Sequence, residues 1–313
     1  MPLKEKDLIR RIRLMARSAK LPRAHGIGDD CAVVRLPKGH EALVTTDFSL
    51  EDVHFRRTWH PPGSVGHRCL ARGLSDIAAM GGTPHAAFLS LALPPELPQE
   101  WVEGFISGFL KLARRHKVRL AGGDTAQSPQ SVLADVVVVG SLPRGTAVLR
   151  SGARPGDSIY VTGSLGESVA SLQGLRDGKK LRPTSRSRHF YPEPRLLVGH
   201  FLRENKLASA MIDISDGLST DLGHLCEESG VGAIVDAGAL PTLPGEQGLQ
   251  FALHGGDDYE LLFTARPSRR IPPKIAGVTV TRIGEIIRGE RMNLVRPYGA
   301  TEDLQPRGWE HFA

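Results

Sequence analysis

Apolar residues along this chain follow two rhythms. Short runs of strand length occupy positions 42–46, 85–93, 118–121, 132–142, 158–162, 210–214, 232–235, 259–264 and 278–283. Between them lie spacings of helical period: Trp101, Phe105, Phe109 and Leu112; Leu218, Leu222 and Leu225; Leu70, Leu74 and Ile77. The opening stretch, MPLKEKDLIRRIRLMARS, threads charges through its apolar positions. It predicts an amphipathic helix rather than a signal peptide. Strands mixed with helices predict an α/β or α+β fold built in layers.

The stretch PRGTAVLRSGARPGD, residues 143–157, is rich in Pro and Gly and has little apolar rhythm. It predicts a boundary between two domains, residues 1–149 and 150–313. A second polar and basic stretch, 176–194, reads as a surface excursion.

Composition narrows the function classes. No run approaches the length of a membrane-spanning helix, so no membrane role is expected. Cys31, Cys69 and Cys226 are widely spaced with no CxxC, which excludes a disulfide framework or thiol-rich zinc site and predicts small core or near-core residues in a reducing cytoplasm. The net charge of +6 comes from scattered basic residues without interleaved aromatics. That pattern argues against nucleic acid and for a small anionic substrate or a solvated surface.

Aspartates recur where apolar runs stop. GIGDDCAVV carries Asp29 and Asp30, ALVTTDF carries Thr45, Thr46 and Asp47, and LSDIAAMGG carries Asp76. AGGDT carries Asp124, IDISDGLSTDLGHL carries Asp213 and Asp216, and HGGDDYELL carries Asp257 and Asp258. Singly, each reads as a turn former or helix cap, with Ser215 or Asp216 the natural cap of the helix beginning near Leu218. Together they are less innocent, because open sheets bind ligands at strand ends. Two carboxylates ~4 Å apart repel by roughly 4 kcal/mol at an effective dielectric of 20, so a cluster needs cations or protons. Carboxylates and hydroxyls select Mg²⁺ or Ca²⁺, and Mg²⁺ completes its shell with water and phosphate. The acids therefore point to nucleotide chemistry. Yet there is no Walker A motif, G-x-S-x-G elbow, HRD or DFG sequence, or H-x-x-x-H pair.

These segments, in this order, resemble the thiamine-monophosphate kinase family of the superfamily that contains aminoimidazole-ribonucleotide synthase and selenophosphate synthetase. The likeness runs from GIGDDCAVV through TTDFSLEDVHF, LSDIAAMGG, GGDT, RSGARPGD and YVTG to IDISDGLSTDLGH, GGDDYELLFT and GWEHF. It implies a two-domain α/β (α+β) fold like that of aminoimidazole-ribonucleotide synthase, with the N-terminal sheet used to form a homodimer. It also implies transfer of the γ-phosphoryl group of ATP to thiamine monophosphate, assisted by several Mg²⁺ ions.

Carried over by position, Asp30, Thr45, Thr46, Asp47, Asp76, Asp124, Asp213 and Asp216 would hold metal. Gly123, Asp124, Arg150 and Ser215 would meet the ATP phosphates, and His54, Asp257 and Trp309 would surround the thiamine end. Asp47, Asp124 and Arg150 would act as electrostatic and positioning groups. The family reads GGEDYEL where this chain reads GGDDYEL, so Asp257 is one methylene shorter than the family's glutamate. No general base is expected: the acceptor is a phosphate monoester with a second pKa of about 6, largely ionised at neutral pH.

Overall fold

A computed structural model describes residues 3–16, 27, 31–184 and 187–312. Asp29 and Asp30 lie outside the described residues. The chain forms two compact units: residues 1–77, 83–145 and 183–191, and residues 78–82, 146–182 and 192–313.

The first unit opens with α1 (Glu5–Ala16), the amphipathic helix its charge pattern predicts. There follow β1 (His40–Leu50), α2 (Pro62–Ala79), β2 (Thr83–Leu93), α3 (Gln99–Arg115), β3 (Arg119–Gln127) and β4 (Leu133–Pro143). The strands form a mixed sheet in the order β1-β4-β2-β3, in which only β2 and β3 run parallel. β1 and β4 pair without a break from His40↔Pro143 to Leu50↔Leu133. Side chains alternate across such a sheet. Leu43, Ala134, Val136, Val138, Leu89 and Leu91 are accordingly buried on one face, while Val44 and Phe48 are exposed on the other. The period predicted for α3 is its buried stripe: Phe105, Phe109 and Leu112 are buried, and Trp101 stacks between Phe55 and Phe105.

The second unit contains β5 (Ser158–Thr162), α4 (Glu167–Arg176), α5 (Leu196–Glu204), β6 (Ala210–Asp213), α6 (Leu218–Ser229), β7 (Gly232–Asp236) and α7 (Gly245–His254). It ends with β8 (Leu261–Ala265), β9 (Lys274–Ile275), β10 (Val278–Ile287), β11 (Met292–Val295) and β12 (Thr301–Asp303). Its sheet runs β12-β11-β7-β10-β5-β8-β6, with β9 paired to β10. β7 and β11 are parallel and the remaining pairs antiparallel. One buried cluster joins Ile159 and Val161 of β5, Ile212 of β6, Leu222 and Leu225 of α6, and Ile283 and Ile286 of β10.

Two strands run further than their apolar runs predict. β1 continues through Asp47 to Leu50, and β3 continues through Gly122, Gly123 and Asp124 to Gln127. Asp47 and Asp124 are therefore mid-strand residues rather than strand terminators. Cross-strand pairing overrides the low strand propensity of Gly and Asp.

Candidate active site

The acids of the first unit divide between the two faces of its sheet. Thr45 and Asp47, two residues apart on β1, share the face covered by α2. Thr45 Oγ1 donates a hydrogen bond to Asp76 Oδ2, and Asp47 Oδ1 lies 3.6 Å from Arg72 Nε. Arg72 and Asp76 stand four apart on α2 and so project from one side of the helix. A strand of period two thus meets a helix of period near four, and the four side chains form one cluster. Asp47 Oδ2 is buried without a hydrogen-bond partner. Burial and the neighbouring Asp76 charge push the Asp47 carboxyl up to about 6, against the opposing pull of Arg72.

Thr46 points the other way. Its hydroxyl donates to Asp135 Oδ1 at 2.8 Å, on the exposed face with Phe48. Asp124 belongs to that same face through the pairings Ser90↔Asp135 and Ser90↔Asp124. Three strand spacings, roughly 14 Å, separate β1 from β3. Asp47 and Asp124 therefore cannot grip one ion from these positions. Asp124 is exposed, and its Oδ1 accepts from Thr125 N at 2.8 Å. A cavity of about 700 Å³ opens beside Gly123 and Asp124, lined in part by Ile9, Ile12, Phe88 and Leu120. His54 sits in the turn after β1, where its Nδ1 accepts from Leu50 N at 2.9 Å, which leaves the ring proton on Nε2.

In the second unit five of the six candidate residues gather on one turn. β6 ends at buried Asp213, and residues 214–217 lead into α6. Ser215 O accepts from Asp257 N at 2.7 Å, and Ile214 O from Tyr259 N at 2.9 Å. Asp216 O accepts from Trp309 N at 2.9 Å, and Thr220 Oγ1 from Gly308 N at 2.9 Å. Asp213, Ser215, Asp216, Asp257 and Trp309, scattered over almost a hundred residues, thus meet around the single turn between β6 and α6. Trp309 is half-exposed, its ring edge-on to His311.

Arg150 stands apart from that turn. Leu149 O accepts from Met211 N near the start of β6, and Arg150 O accepts from Ser229 Oγ at the last residue of α6. Ser215 precedes the other end of α6, whose 12 residues span roughly 18 Å. The backbone of Arg150 is anchored away from Ser215.

The cap of α6 is neither Ser215 nor Asp216. Asp221, inside the first turn, reaches back to accept from Asp216 N and Gly217 N at 3.1 and 3.0 Å. Burial, followed by the charges of Asp213 and Asp216, pushes the Asp221 carboxyl well above the ordinary range despite those two backbone donors. The signal for Asp221 was its position, a carboxylate in a first helical turn whose preceding N–H groups need acceptors.

Glu260 also escaped notice. It is fully buried, bonded by Arg195 through both Nε and Nη2 and by Thr162 Oγ1 at 2.6 Å. Asp258 accepts from Gly166 N at 2.8 Å at the start of α4. Of the cysteines, Cys69 and Cys226 are buried and have thiols raised by burial to about 12, whereas Cys31 is exposed rather than in the core.

The donors suit a hard cation: the candidate ligands offer oxygen, and one oxygen of Asp47 is buried without a hydrogen-bond partner. Among the described residues no three Asp, Glu, His or Cys side chains form a cage for an ion on their own. Mg²⁺, which is held by one or two carboxylates with water and substrate phosphate, is compatible with such oxygen donors.

Residues 28–142 match the N-terminal domain and residues 154–296 the C-terminal domain of the AIR synthase related proteins. The thiamine-monophosphate kinase of Salmonella typhimurium is 39% identical, with 99% of this chain and 98% of that one covered. The crystal structure of thiamine-monophosphate kinase from Stenotrophomonas maltophilia K279a is 36% identical, with 94% and 97% covered and a TM-score of 0.81. The structure of AaThiL complexed with AMPPCP and TMP is 33% identical over 100% of both chains, with a TM-score of 0.79. No helix among the described residues is long and apolar enough to cross a membrane. On these likenesses and its two-domain architecture, the chain belongs to the thiamine-monophosphate kinase family.

Proposed function

We propose that this chain transfers the γ-phosphoryl group of ATP in line and directly to thiamine monophosphate, giving thiamine diphosphate and ADP as the last step in making that coenzyme. The observation that carries the reading is identity of 39% along nearly the whole of a thiamine-monophosphate kinase, joined to the oxygen-rich cluster around Asp47. AaThiL, the relative complexed with AMPPCP and TMP, supports a nucleotide and thiamine monophosphate as the two ligands.

Asp47, Asp76 and Thr45 would hold Mg²⁺ on one face of the first sheet, with Asp124 and Thr46 offering oxygens on the other and Asp30 adding a further carboxylate. Asp213 and Asp216 would do the same in the second unit. When bound, Mg²⁺ supplies charge neutralisation between two polyanions. Gly123, Asp124 and Ser215 are assigned to the ATP phosphates, with the apolar cavity beside Asp124 taking the base; Arg150, anchored at the opposite end of α6 from Ser215, is not grouped with them. His54, Asp257 and Trp309 are assigned to the thiamine end. No residue need remove a proton, because the acceptor phosphate is already ionised. Residues 1–149 would serve ATP, metal and dimerisation, and residues 150–313 would complete the site. The open sheet face, where Val44 and Phe48 are 66% and 57% exposed, suits pairing with a second copy. The three free thiols suit a cytoplasmic setting.

The test is thiamine diphosphate formation from thiamine monophosphate and ATP, with Mg²⁺ and with chelator, beside Asp47→Asn. Product that requires Mg²⁺ and falls by about 100-fold or more in the variant is expected. ATP binding without product would overturn the kinase reading.

A further inference from the structure

The segment after α7 contains a contact that none of these assignments uses. Tyr259 is 2% exposed, and its hydroxyl donates to Asp257 Oδ1 at 2.7 Å. Both residues hold left-handed backbone angles, φ 64° at Asp257 and 50° at Tyr259. For a bulky residue this is an outlier that persists only where the surroundings impose it, and such outliers cluster at functional sites.

Here the surroundings do impose it. Asp257 N and Tyr259 N are bound to the carbonyls of Ser215 and Ile214, Ile214 N returns a bond to Glu260 O at 2.8 Å, and Glu260 is locked by Arg195 and Thr162. Asp258, between the two left-handed residues, is itself fixed on Gly166 N. The phenol is thus a rigid donor aimed at a carboxylate that is not fully buried. A short aspartate has little reach of its own, so the donor that grips one oxygen decides where its charge lies.

We propose that Tyr259 is a positioning residue for substrate specificity, holding the Asp257 carboxylate at the angle from which it meets the cationic, N–H-bearing ring system of thiamine monophosphate. The inference rests on the assignment of Asp257 to the thiamine end.

The experiment is a double-mutant cycle in the full chain, with KM for thiamine monophosphate and for ATP measured in Tyr259→Phe, Asp257→Ala and the pair. Loss of a hydrogen bond to a charged group predicts a rise of about tenfold in KM for thiamine monophosphate in Tyr259→Phe, with KM for ATP within about twofold. In the Asp257→Ala background the same change should add less than about twofold, because Tyr259 acts through Asp257. If Asp257→Ala raises that KM and Tyr259→Phe does not, the role of Tyr259 falls and the Asp257 assignment stands. If neither does, the assignment falls with it. Equal losses toward ATP and thiamine monophosphate would mark a general structural role and overturn the proposal. Should Tyr259→Phe not fold, ¹⁹F spectra of the fluorotyrosine-labelled chain decide, with the signal assigned through Tyr160→Phe, Tyr191→Phe and Tyr298→Phe. The Tyr259 resonance should move on adding thiamine monophosphate and stay still in Asp257→Ala; no movement in the parent chain would overturn the proposal.

Discussion

The chain writes Gly-Gly-Asp twice and builds two different objects from it. Gly122-Gly123-Asp124 lies inside β3, in parallel register with Phe88, Leu89 and Ser90 of β2, just past a bulge at Ala121. A Cβ on Gly123, whose φ is +145°, would run into the backbone of Leu89. Gly255-Gly256-Asp257 instead closes α7 and enters a hook, where a Cβ on Gly256 would strike Ser215 O. In one place the glycines let two strands approach; in the other they let a loop lie on the turn after β6. The aspartates differ accordingly, Asp124 exposed on an open sheet face and Asp257 gripped by a tyrosine. The tripeptide offers the conformational opportunity, and the neighbouring backbone decides its use.

The largest break in this comparison is expected at its glycines. Gly123→Ala combines overpacking with a strained φ and should cost about 3–5 kcal/mol, whereas Gly256→Ala, with an ordinary φ, should cost about 1–3 kcal/mol. Urea denaturation of the two variants checks the ranking. The acids come next. Asp124→Asn should lower kcat by about 100-fold at saturating substrate, as expected for loss of an electrostatic group. Asp257→Asn should act mainly on KM for thiamine monophosphate, by about tenfold. Steady-state kinetics with each substrate varied separates them, and a shared kcat defect would erase the distinction.

The smallest effect is one of pH. The Asp47 carboxyl stands at about 6 in the folded chain against an ordinary 3.8, so between these values the folded state holds a proton that the unfolded state has released. The contribution of this group to the stability of the metal-free chain therefore rises as pH falls through that window, and apparent Mg²⁺ affinity falls with it. Thermal melts with chelator and with Mg²⁺ at pH 5 and 7.5 read both signs. Asp47→Asn should flatten this share of the response, leaving the part that Asp221 contributes in the second unit.

Much of the fold was legible because its signals are local. The spacing of Trp101, Phe105, Phe109 and Leu112 gave α3 its buried stripe, and the apolar run at 132–142 became β4 with a shift of one residue. What misled was composition: Gly and Asp suggested that β1 and β3 stop early, and only pairing with β4 and β2 shows why they continue. The site was legible as a set of acids but not as a geometry. Nothing in TTDF says that Thr45 and Asp47 face α2 while Thr46 faces Asp135 until the strand is extended past them. Arg72 and Glu260 were illegible for a related reason. Each takes its meaning from a partner brought close by folding, Asp47 for one and Arg195, 65 residues away, for the other.

The pairing of β1 with β4 has a consequence for how the molecule is made. Thr45 and Asp47 sit opposite Val138 and Val136, some ninety residues later in the chain. During synthesis β1 emerges early and must wait, unpaired, until α2, β2, α3 and β3 have been added and β4 follows. Thr45 and Asp47 meet Asp76 and Arg72 of α2 within 31 residues, whereas the strand that carries them finds its sheet partner only when β4 arrives. Such long-range closure is slow and leaves a strand edge exposed to other chains. The same topology that sets Asp47 against α2 thus leaves β1 unpaired in its sheet until β4 has been made.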